Sequence, residues 1–240
     1  MRALILVTGQ TIPTIAERRG EFPAWIRDRT GRAWRGEWGV HDVRTDGPLP
    51  GPNDADAFVI TGSSSSVTER APWMLRVEAL IREIVDSRRP LLGVCFGHQL
   101  IAQALGGEVR QNPRGREIGT IAVRRVEDDP LFGALPRTFD IHATHVDAVT
   151  RLPDGASRLA ETSLDPNAAF RLGARVWGVQ FHPEFDADVM RDYLRARAEL
   201  VRGEGGDPDA LLAGVRDHTN GETILRAFAA LAEGERLHRS

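Results

Sequence analysis

Short apolar runs alternate with longer amphipathic stretches in the N-terminal half of the chain. Residues 3–7, 57–62 and 90–94 have the length and the β-branched content of buried strands. Apolar residues recur at helical spacing over residues 72–87, behind a proline in the first turn, and over residues 98–107, which end in a glycine pair. This strand–helix–strand–helix order predicts a mostly parallel sheet with helices on both faces.

The second half of the chain has a different pattern. Three segments are typical of short strands joined by turns and predict a small antiparallel portion: residues 117–126, 137–150 and 157–163. A further strand is expected within residues 174–185, which contain a His-Pro-Glu sequence, and a helix over residues 186–202. A glycine-rich break after this helix divides the chain into a main domain, residues 1–202, and a C-terminal helical extension, residues 203–240. Helices with the apolar spacing of this extension pack on their own domain more often than on a partner.

The composition excludes several classes of protein. A formal net charge of −3 lacks the basic surplus of nucleic-acid-binding proteins, and no apolar stretch approaches the roughly 20 residues that span a bilayer. The apolar run at residues 3–7 is too short for a signal-peptide core. One cysteine cannot form an internal disulfide, so nothing indicates an oxidising compartment. We therefore expect a cytoplasmic protein with neither nucleic acid nor membrane as partner.

The basic residues also restrict the chemistry. All 31 of them are arginine, which excludes Schiff-base catalysis by lysine and an ordinary phosphate-loop lysine. A His-x-x-His pair, His142 and His145, could suggest zinc together with Cys95 and His98. No spacing among these residues resembles a standard zinc pattern, so we predict no metal site and no cofactor.

The single cysteine lies in the sequence Gly93-Val94-Cys95-Phe96-Gly97, between a predicted strand and a predicted helix. This G-x-C-x-G spacing is the cysteine counterpart of a nucleophile elbow, in which a strained turn projects the nucleophile into solvent. The start of the next helix favours the thiolate, and the backbone N–H of Phe96 would point at a developing oxyanion. A buried core cysteine is the common alternative, but a plain core position does not need two flanking glycines.

A thiolate nucleophile needs a base, and that base needs a carboxylate to orient it. His182 and Glu184 lie two residues apart at the end of a predicted strand, so their side chains point the same way. Gly62, in the small-residue loop after the second strand, would let its backbone approach closely as a further oxyanion donor. Alternatively, His182 is a structural histidine, and the segment that contains Gly62 is an ordinary loop whose serines cap the next helix.

Residues 91–107 and 178–185 together resemble the class I, or triad, glutamine amidotransferases, and residues from about 4 to 194 resemble the glutaminase domain of GMP synthase and its stand-alone relatives. The expected fold is a flavodoxin-like three-layer sandwich. The resemblance implies that Cys95 is the nucleophile, His182 the general base and Glu184 its orienter. It implies an oxyanion hole formed by the N–H groups of Gly62 and Phe96. It further implies that three residues contact or line the site of the substrate's α-amino and α-carboxylate end: Gln99, Thr144 and His145.

Three functions remain open at this point. The first is release of ammonia from the side-chain amide of glutamine, or of a γ-glutamyl amide, through a γ-glutamyl thioester on Cys95. The second is a γ-glutamyl peptidase or hydrolase that uses the same triad. The third is a non-catalytic partner or regulatory module, against which the intact triad weighs. The residues after Val201 are too few for an ATP-pyrophosphatase domain. The ammonia acceptor would then be a separate synthetase subunit, and a homodimer is also possible.

Overall fold

The computed structural model describes residues 1–234, and its strands and helices alternate in the order that the sequence predicts for an α/β protein. The strands are β1 (Arg2–Val7), β2 (Glu37–Asp42), β3 (Ala57–Ile60), β4 (Leu91–Val94), β5 (Glu108–Gln111), β6 (Glu117–Arg125), β7 (Thr138–His145), β8 (Asp147–Arg151), β9 (Ala156–Glu161), β10 (Ala169–Leu172) and β11 (Val176–Val179). The helices are α1 (Pro13–Arg19), α2 (Phe22–Thr30), α3 (Pro72–Asp86), α4 (Phe96–Ala104), α5 (Ala187–Ala196), α6 (Ala198–Gly203), α7 (Pro208–Ala213) and α8 (Asn220–Gly234).

A nine-stranded sheet organises the described residues, in the order β2-β1-β3-β4-β11-β10-β9-β6-β7. The first five strands of that order are mutually parallel, and each of the last four is antiparallel to its neighbour. Strands β5 and β8 pair separately as an antiparallel ribbon. The expected fold, a mostly parallel sheet with helices around it and a smaller antiparallel portion, is confirmed. Its parallel part brings the carboxyl ends of β3, β4 and β11 to one edge of the sheet.

The central strands are buried on both faces, which explains why they are continuous apolar runs in the sequence. In β1, Ile5 packs into the core cluster that contains α8, whereas Leu4 and Leu6 pack into the cluster that contains α3 and α4. Side chains on successive residues of a strand point to opposite faces, so one run supplies both cores. Within residues 1–234, no helix has both the length and the apolar character needed to cross a bilayer.

The prediction of one helix over residues 186–202 is wrong, because the helix is interrupted at Arg197. This residue ends α5 and precedes α6, with φ −108° and ψ 10°. The apolar pattern is continuous across the break, since Leu194 and Val201 both pack into a third core cluster together with Phe185. The break therefore leaves the apolar pattern intact, and it places Arg197 at the junction of the two helices.

Helix α8 packs against the central sheet. Ile224, Leu225 and Phe228 belong to the same core cluster as Ile5 and Val59, and α8 contacts α2. The division of the chain at residue 202 stays a prediction, and Glu235–Ser240 of the predicted extension lie outside the described residues.

The start of α8 also supports the His-Pro-Glu sequence. A Cβ on Gly221 would lie 2.2 Å from the carbonyl oxygen of Pro183. Because the atom it would meet belongs to the backbone, only a glycine lets the helix approach so closely. The start of α8 therefore packs directly against the segment that carries His182 and Glu184.

Candidate active site

Cys95 lies on a sharp turn between β4 and α4, as the G-x-C-x-G spacing predicts. Its backbone is in a left-handed region, with φ 51° and ψ −103°, which costs on the order of 1–3 kcal/mol for a residue other than glycine. The expectation that this turn projects the side chain into solvent is wrong, because Cys95 is only 6% exposed. Its thiol lines two cavities that open to the surface, and substrate reaches the sulfur through them.

The two glycines of the elbow are required by close packing. A Cβ on Gly97 would lie 2.5 Å from the carbonyl oxygen of Ile60, and a Cβ on Gly93 would lie 2.5 Å from the backbone of Gly97. Contacts this short cannot be relieved by a side-chain rotation, because the neighbouring atoms belong to the backbone. The glycines therefore let α4 begin directly against strands β3 and β4.

We predict that Gly97→Ala lowers the free energy of unfolding by about 3 kcal/mol, as expected for overpacking against a rigid backbone. Gly203→Ala is the matched control, because Gly203 ends α6 and a Cβ there would meet no atom within 4 Å. Alanine is the better helix former, so this control should be neutral or slightly stabilising. Urea unfolding of both variants measures the difference, and equal stabilities would contradict the packing argument.

The structure brings His182 and Glu184 together with Cys95. Nδ1 of His182 lies 2.8 Å from Oε1 of Glu184, and both residues are at most 3% exposed. The imidazole is stacked on the ring of Phe185, with the centroids 4.1 Å apart. The Glu184 hydrogen bond and the Phe185 ring fix the imidazole plane and direct Nε2 toward the cysteine side of the site.

The electrostatics of the pair favour a thiolate and an imidazolium. Burial raises the pKa of the Cys95 thiol, but the charge of His182 and its hydrogen bond to the sulfur lower that pKa more, so it lies below its ordinary value. Burial lowers the pKa of His182, but the charges of Glu184 and of the thiolate outweigh this effect and raise it to about 10. The two shifts share a cause, because each charged group stabilises the other, and Glu184 adds to the shift of His182. The Cys95 thiol therefore ionises at a lower pH than a free thiol.

Gly62 and Phe96 both adjoin Cys95. Phe96 is the next residue in the chain, and a Cβ on Gly62 would lie 3.8 Å from Cβ of Cys95. Among residues 1–234, neither the N–H of Gly62 nor that of Phe96 donates a hydrogen bond. The peptide that carries the Gly62 N–H is held in place, because the hydroxyl of Thr8 donates to the carbonyl of Thr61 at 2.8 Å. A Cβ on Gly62 would lie 3.0 Å from Cε1 of His182, so a larger residue would press on the imidazole. The roles of Gly62 and Phe96 as oxyanion donors stay predictions that this geometry permits.

Gln99, Thr144 and His145, the other residues that the resemblance implies, lie within the same buried region. Nε2 of Gln99 donates to the carbonyl of Asp147 at 2.9 Å and to Oε1 of Gln180 at 3.0 Å. Both amide hydrogens are thus used, and its oxygen is left to accept from a ligand. Nδ1 of His145 also donates to the carbonyl of Asp147, at 3.0 Å. The side chain of His145 is therefore engaged within the protein, and only its backbone can line a ligand site.

Sequence reasoning missed two buried residues of this region, one beside the thiol and one beside His145. Nε2 of Gln180 donates to Sγ of Cys95 at 3.6 Å, and Oε2 of Glu117 lies 3.1 Å from Nε2 of His145. Burial lowers the pKa of His145, but the hydrogen bond to Glu117 and the charges of Cys95 and Glu117 raise it above its ordinary value. Protonation of His145 is thereby favoured, and its positive charge lowers the pKa of the Cys95 thiol. The available signal was a charged residue, Glu117, as the first residue of β6, directly before the apolar part of that strand.

Two cavities open on Cys95. The first, here the His182 cavity, has a volume of about 200 Å³ and is lined by His182 and by Gln10, Thr11, Ile12, Pro13, Phe22 and Tyr193. The second, here the Gln99 cavity, has a volume of about 80 Å³ and is lined by Gln99 and by Phe96, Arg116, His145, Val146 and Asp147. Five residues line both cavities: Ser63, Ser64, Cys95, Thr144 and Arg197. A substrate bound at the sulfur therefore has room on two sides.

Fold and site together describe an α/β protein with a cysteine at a strand-to-helix elbow beside a buried histidine–carboxylate pair. The family model "Glutamine amidotransferase class-I" matches residues 40–198, well over half of the chain. The chain belongs to the class I glutamine amidotransferase family.

Three similar proteins illustrate the range of this family. GMP synthase [glutamine-hydrolyzing] of Thermosipho africanus is 39% identical over 153 residues, which are 61% of this chain and 28% of that protein. Gamma-glutamyl peptidase 4 of Arabidopsis thaliana is 33% identical over 157 residues, 62% of each chain. The chain thus spans less than two thirds of the length of either relative. A crystal structure of a glutamine amidotransferase from Thermotoga maritima shares the fold, with a TM-score of 0.72 at 23% identity over 99% of this chain and 98% of that one.

Proposed function

We propose that this protein hydrolyses the side-chain amide of glutamine, or of a γ-glutamyl amide, through a thioester on Cys95. The observation that carries the proposal is the placement of the buried Cys95 thiol and the His182 imidazole on one cavity, with Oε1 of Glu184 2.8 Å from Nδ1 of His182. The lowered pKa of the thiol and the raised pKa of His182 agree with it. A non-catalytic module has no use for a thiolate stabilised in this way, since a buried ion pair alone is weak support for stability.

The first half of the reaction uses the ion pair as it stands. The thiolate attacks the carbonyl carbon of the amide, and the negative charge that develops on the carbonyl oxygen accepts hydrogen bonds from the N–H groups of Gly62 and Phe96. The imidazolium of His182 gives its proton to the leaving nitrogen, and the carbon–nitrogen bond breaks. Ammonia or an amine leaves, a γ-glutamyl thioester remains on Cys95, and His182 is neutral.

The second half restores the enzyme. Neutral His182 accepts a proton from water while the water oxygen attacks the thioester carbonyl, again with the oxyanion held by Gly62 and Phe96. The carbon–sulfur bond breaks, glutamate leaves, and Cys95 departs as a thiolate beside a reprotonated His182. Glu184 stays ionised throughout and stabilises the imidazolium of the resting state.

A γ-glutamyl peptidase is the second candidate, and the His182 cavity favours it. The leaving group departs on the side of the group that protonates it, and this cavity has a volume of about 200 Å³. Ammonia needs about the volume of one water, roughly 30 Å³. Ile12, Phe22 and Tyr193 give the cavity apolar walls, which suit the carbon atoms of an organic amine. The Arabidopsis relative is itself named a gamma-glutamyl peptidase.

A substrate panel separates the two candidates. We expect glutamate to be released both from free glutamine and from γ-glutamyl amides with amines of increasing size, measured by mass spectrometry with trapping of the thioester by hydroxylamine. A kcat/KM for the larger amides at least tenfold above that for glutamine would select the peptidase, and the reverse order would select ammonia release. Absence of turnover and of thioester for every substrate, with and without candidate partners, would reject both.

If glutamine is the substrate, the ammonia acceptor is a separate synthetase subunit. The matched stretch covers only 28% of the Thermosipho GMP synthase, so most of that protein has no counterpart in the match. Co-purification of the chain with an ATP-dependent amidating enzyme, and a rise in glutaminase activity when the two are mixed, is the expected result.

A further inference from the structure

Arg197 is a cation at the candidate active site that neither the motifs nor the family resemblance assigns. It lies at the break between α5 and α6, and it is the only guanidinium that lines both the His182 cavity and the Gln99 cavity within residues 1–234. Its guanidinium carbon lies 5.8 Å from the centroid of the Tyr193 ring. The Tyr193 hydroxyl is fixed by Thr11 at 2.6 Å, so the ring is a rigid support for the cation.

The charge of Arg197 has no carboxylate partner. No Asp or Glu oxygen of residues 1–234 lies within 4.0 Å of its guanidinium nitrogens, and Nε is buried without a hydrogen-bond acceptor. Burial lowers the pKa of Arg197, and the neighbouring charge of Arg116 lowers it further. A half-buried guanidinium that lacks a partner is costly to maintain, and this cost suggests that the partner is a ligand.

The surroundings indicate which part of a ligand this partner is. Arg116 lines the Gln99 cavity but not the His182 cavity. The Gln99 cavity therefore has two guanidinium groups, those of Arg116 and Arg197. Arg116 is itself engaged by Glu204, with contacts of 2.8 and 3.0 Å, and Asp147, the carboxylate of this cavity, accepts from the hydroxyl of Ser66. Arg197 is therefore the unengaged cation of the Gln99 cavity, where the acyl part of the proposed substrate would lie, although it also lines the His182 cavity.

We propose that Arg197 binds the α-carboxylate of the glutamyl group and is a specificity-determining residue of this site. The proposal rests on the proposed function. Gln99 supplies the complementary element, because its free side-chain oxygen can accept from the α-ammonium group of the same substrate. A guanidinium and a carboxylate form paired, charge-assisted hydrogen bonds, which reject a substrate whose α-carboxylate is neutralised. The preferred substrate class is then a γ-glutamyl amide with a free α-carboxylate.

The test compares glutamine with its α-carboxamide on the wild type and on Arg197→Gln. We expect Arg197→Gln to raise KM for glutamine roughly 10- to 100-fold with little change in kcat, the range for loss of charge-assisted hydrogen bonds. The wild type should discriminate against the α-carboxamide by a similar factor, and the variant should not. Arg197→Lys should restore part of the discrimination. Unchanged KM and discrimination in Arg197→Gln would overturn the proposal.

Arg195→Gln is the matched control, because Arg195 lies one residue before the end of the same helix with its side chain 61% exposed, paired with Asp192 at 3.0 Å. It should behave as the wild type. A second pair of substrates distinguishes the two ends of the ligand, γ-glutamylglycine with a carboxylate on the leaving amine and γ-glutamylethylamine without one. Loss of binding confined to γ-glutamylglycine would mean that Arg197 recognises the leaving group, and the proposal would be wrong.

A further measurement keeps this inference separate from the proposed function. Cys95 is the only cysteine, so its alkylation by anionic iodoacetate and by neutral iodoacetamide can be followed by mass without any turnover. The ratio of the two rate constants should fall at least threefold in Arg197→Gln and stay constant in Arg195→Gln. If the wild type turns over no substrate, the proposed function fails, and this ratio alone decides whether Arg197 attracts an anion to the sulfur.

Discussion

Cys95→Ser is expected to lower kcat/KM for glutamine and for γ-glutamyl amides on the order of 10⁴-fold or more, the scale seen when a nucleophile is removed from a triad. The reason lies in the ground state. His182 is held as an imidazolium by Glu184 and by the thiolate, so it is arranged to give a proton and not to remove one from a hydroxyl. In the variant the thiolate is gone, but the charge of Glu184, the largest effect that raises the pKa of His182, still favours the imidazolium. A serine hydroxyl beside it stays protonated and does not attack.

The variant also has a readout that does not depend on the natural substrate. A glutamine analogue with a diazoketone in place of the amide should add one mass equivalent to the wild type and none to Cys95→Ser. Serine is slightly smaller than cysteine, so the unfolding midpoint should stay close to that of the wild type, which shows that the elbow still forms. Turnover by Cys95→Ser within tenfold of the wild type would exclude a cysteine mechanism, whatever the family.

The sequence predicted best those parts of the molecule whose pattern has a single explanation. The three apolar runs became β1, β3 and β4, because strands buried on both faces leave no room for polar residues. Strand β2 was missed for the opposite reason. It is the edge strand, its residues 37–42 are half-exposed and include a glycine, and its pairing with β1 is a tertiary contact that no local pattern encodes.

The residues of the candidate site likewise include some that a local pattern predicts and some that it does not. Cys95, His182 and Glu184 lie in short motifs that predict their local geometry, and the structure brings the three residues together. Arg197 and Glu117 come from distant segments and have no motif, since their positions depend on a helix break and on the register of β6 against β7. The burial of Cys95 was also unpredictable locally, because the residues that line the cavity at its thiol, such as Phe22 and Tyr193, come from distant parts of the chain.

Glu184→Gln is expected to change the pH dependence of Cys95 as well as the rate. The substitution preserves shape but removes the charge that contributes most to raising the pKa of His182. The pKa of His182 should fall, so the imidazolium is lost at a lower pH. The thiolate then loses the partner that stabilises it, and this loss outweighs the relief from repulsion by Glu184, which is the smallest of the effects on the thiol.

The pKa of the Cys95 thiol should consequently rise, and the midpoint of its alkylation by iodoacetamide should move up by roughly one pH unit or more, equivalent to about 1.4 kcal/mol of lost interaction. Amide hydrolysis should fall roughly 10²- to 10³-fold, because His182 is less often protonated when the nitrogen leaves. Glu199→Gln makes the same change at an exposed position of α6 and should alter neither quantity. An unchanged alkylation midpoint in Glu184→Gln would mean that the imidazolium of His182 does not depend on this carboxylate. The thiolate would then be stabilised by another group, and the Glu117–His145 pair is the next pair to test.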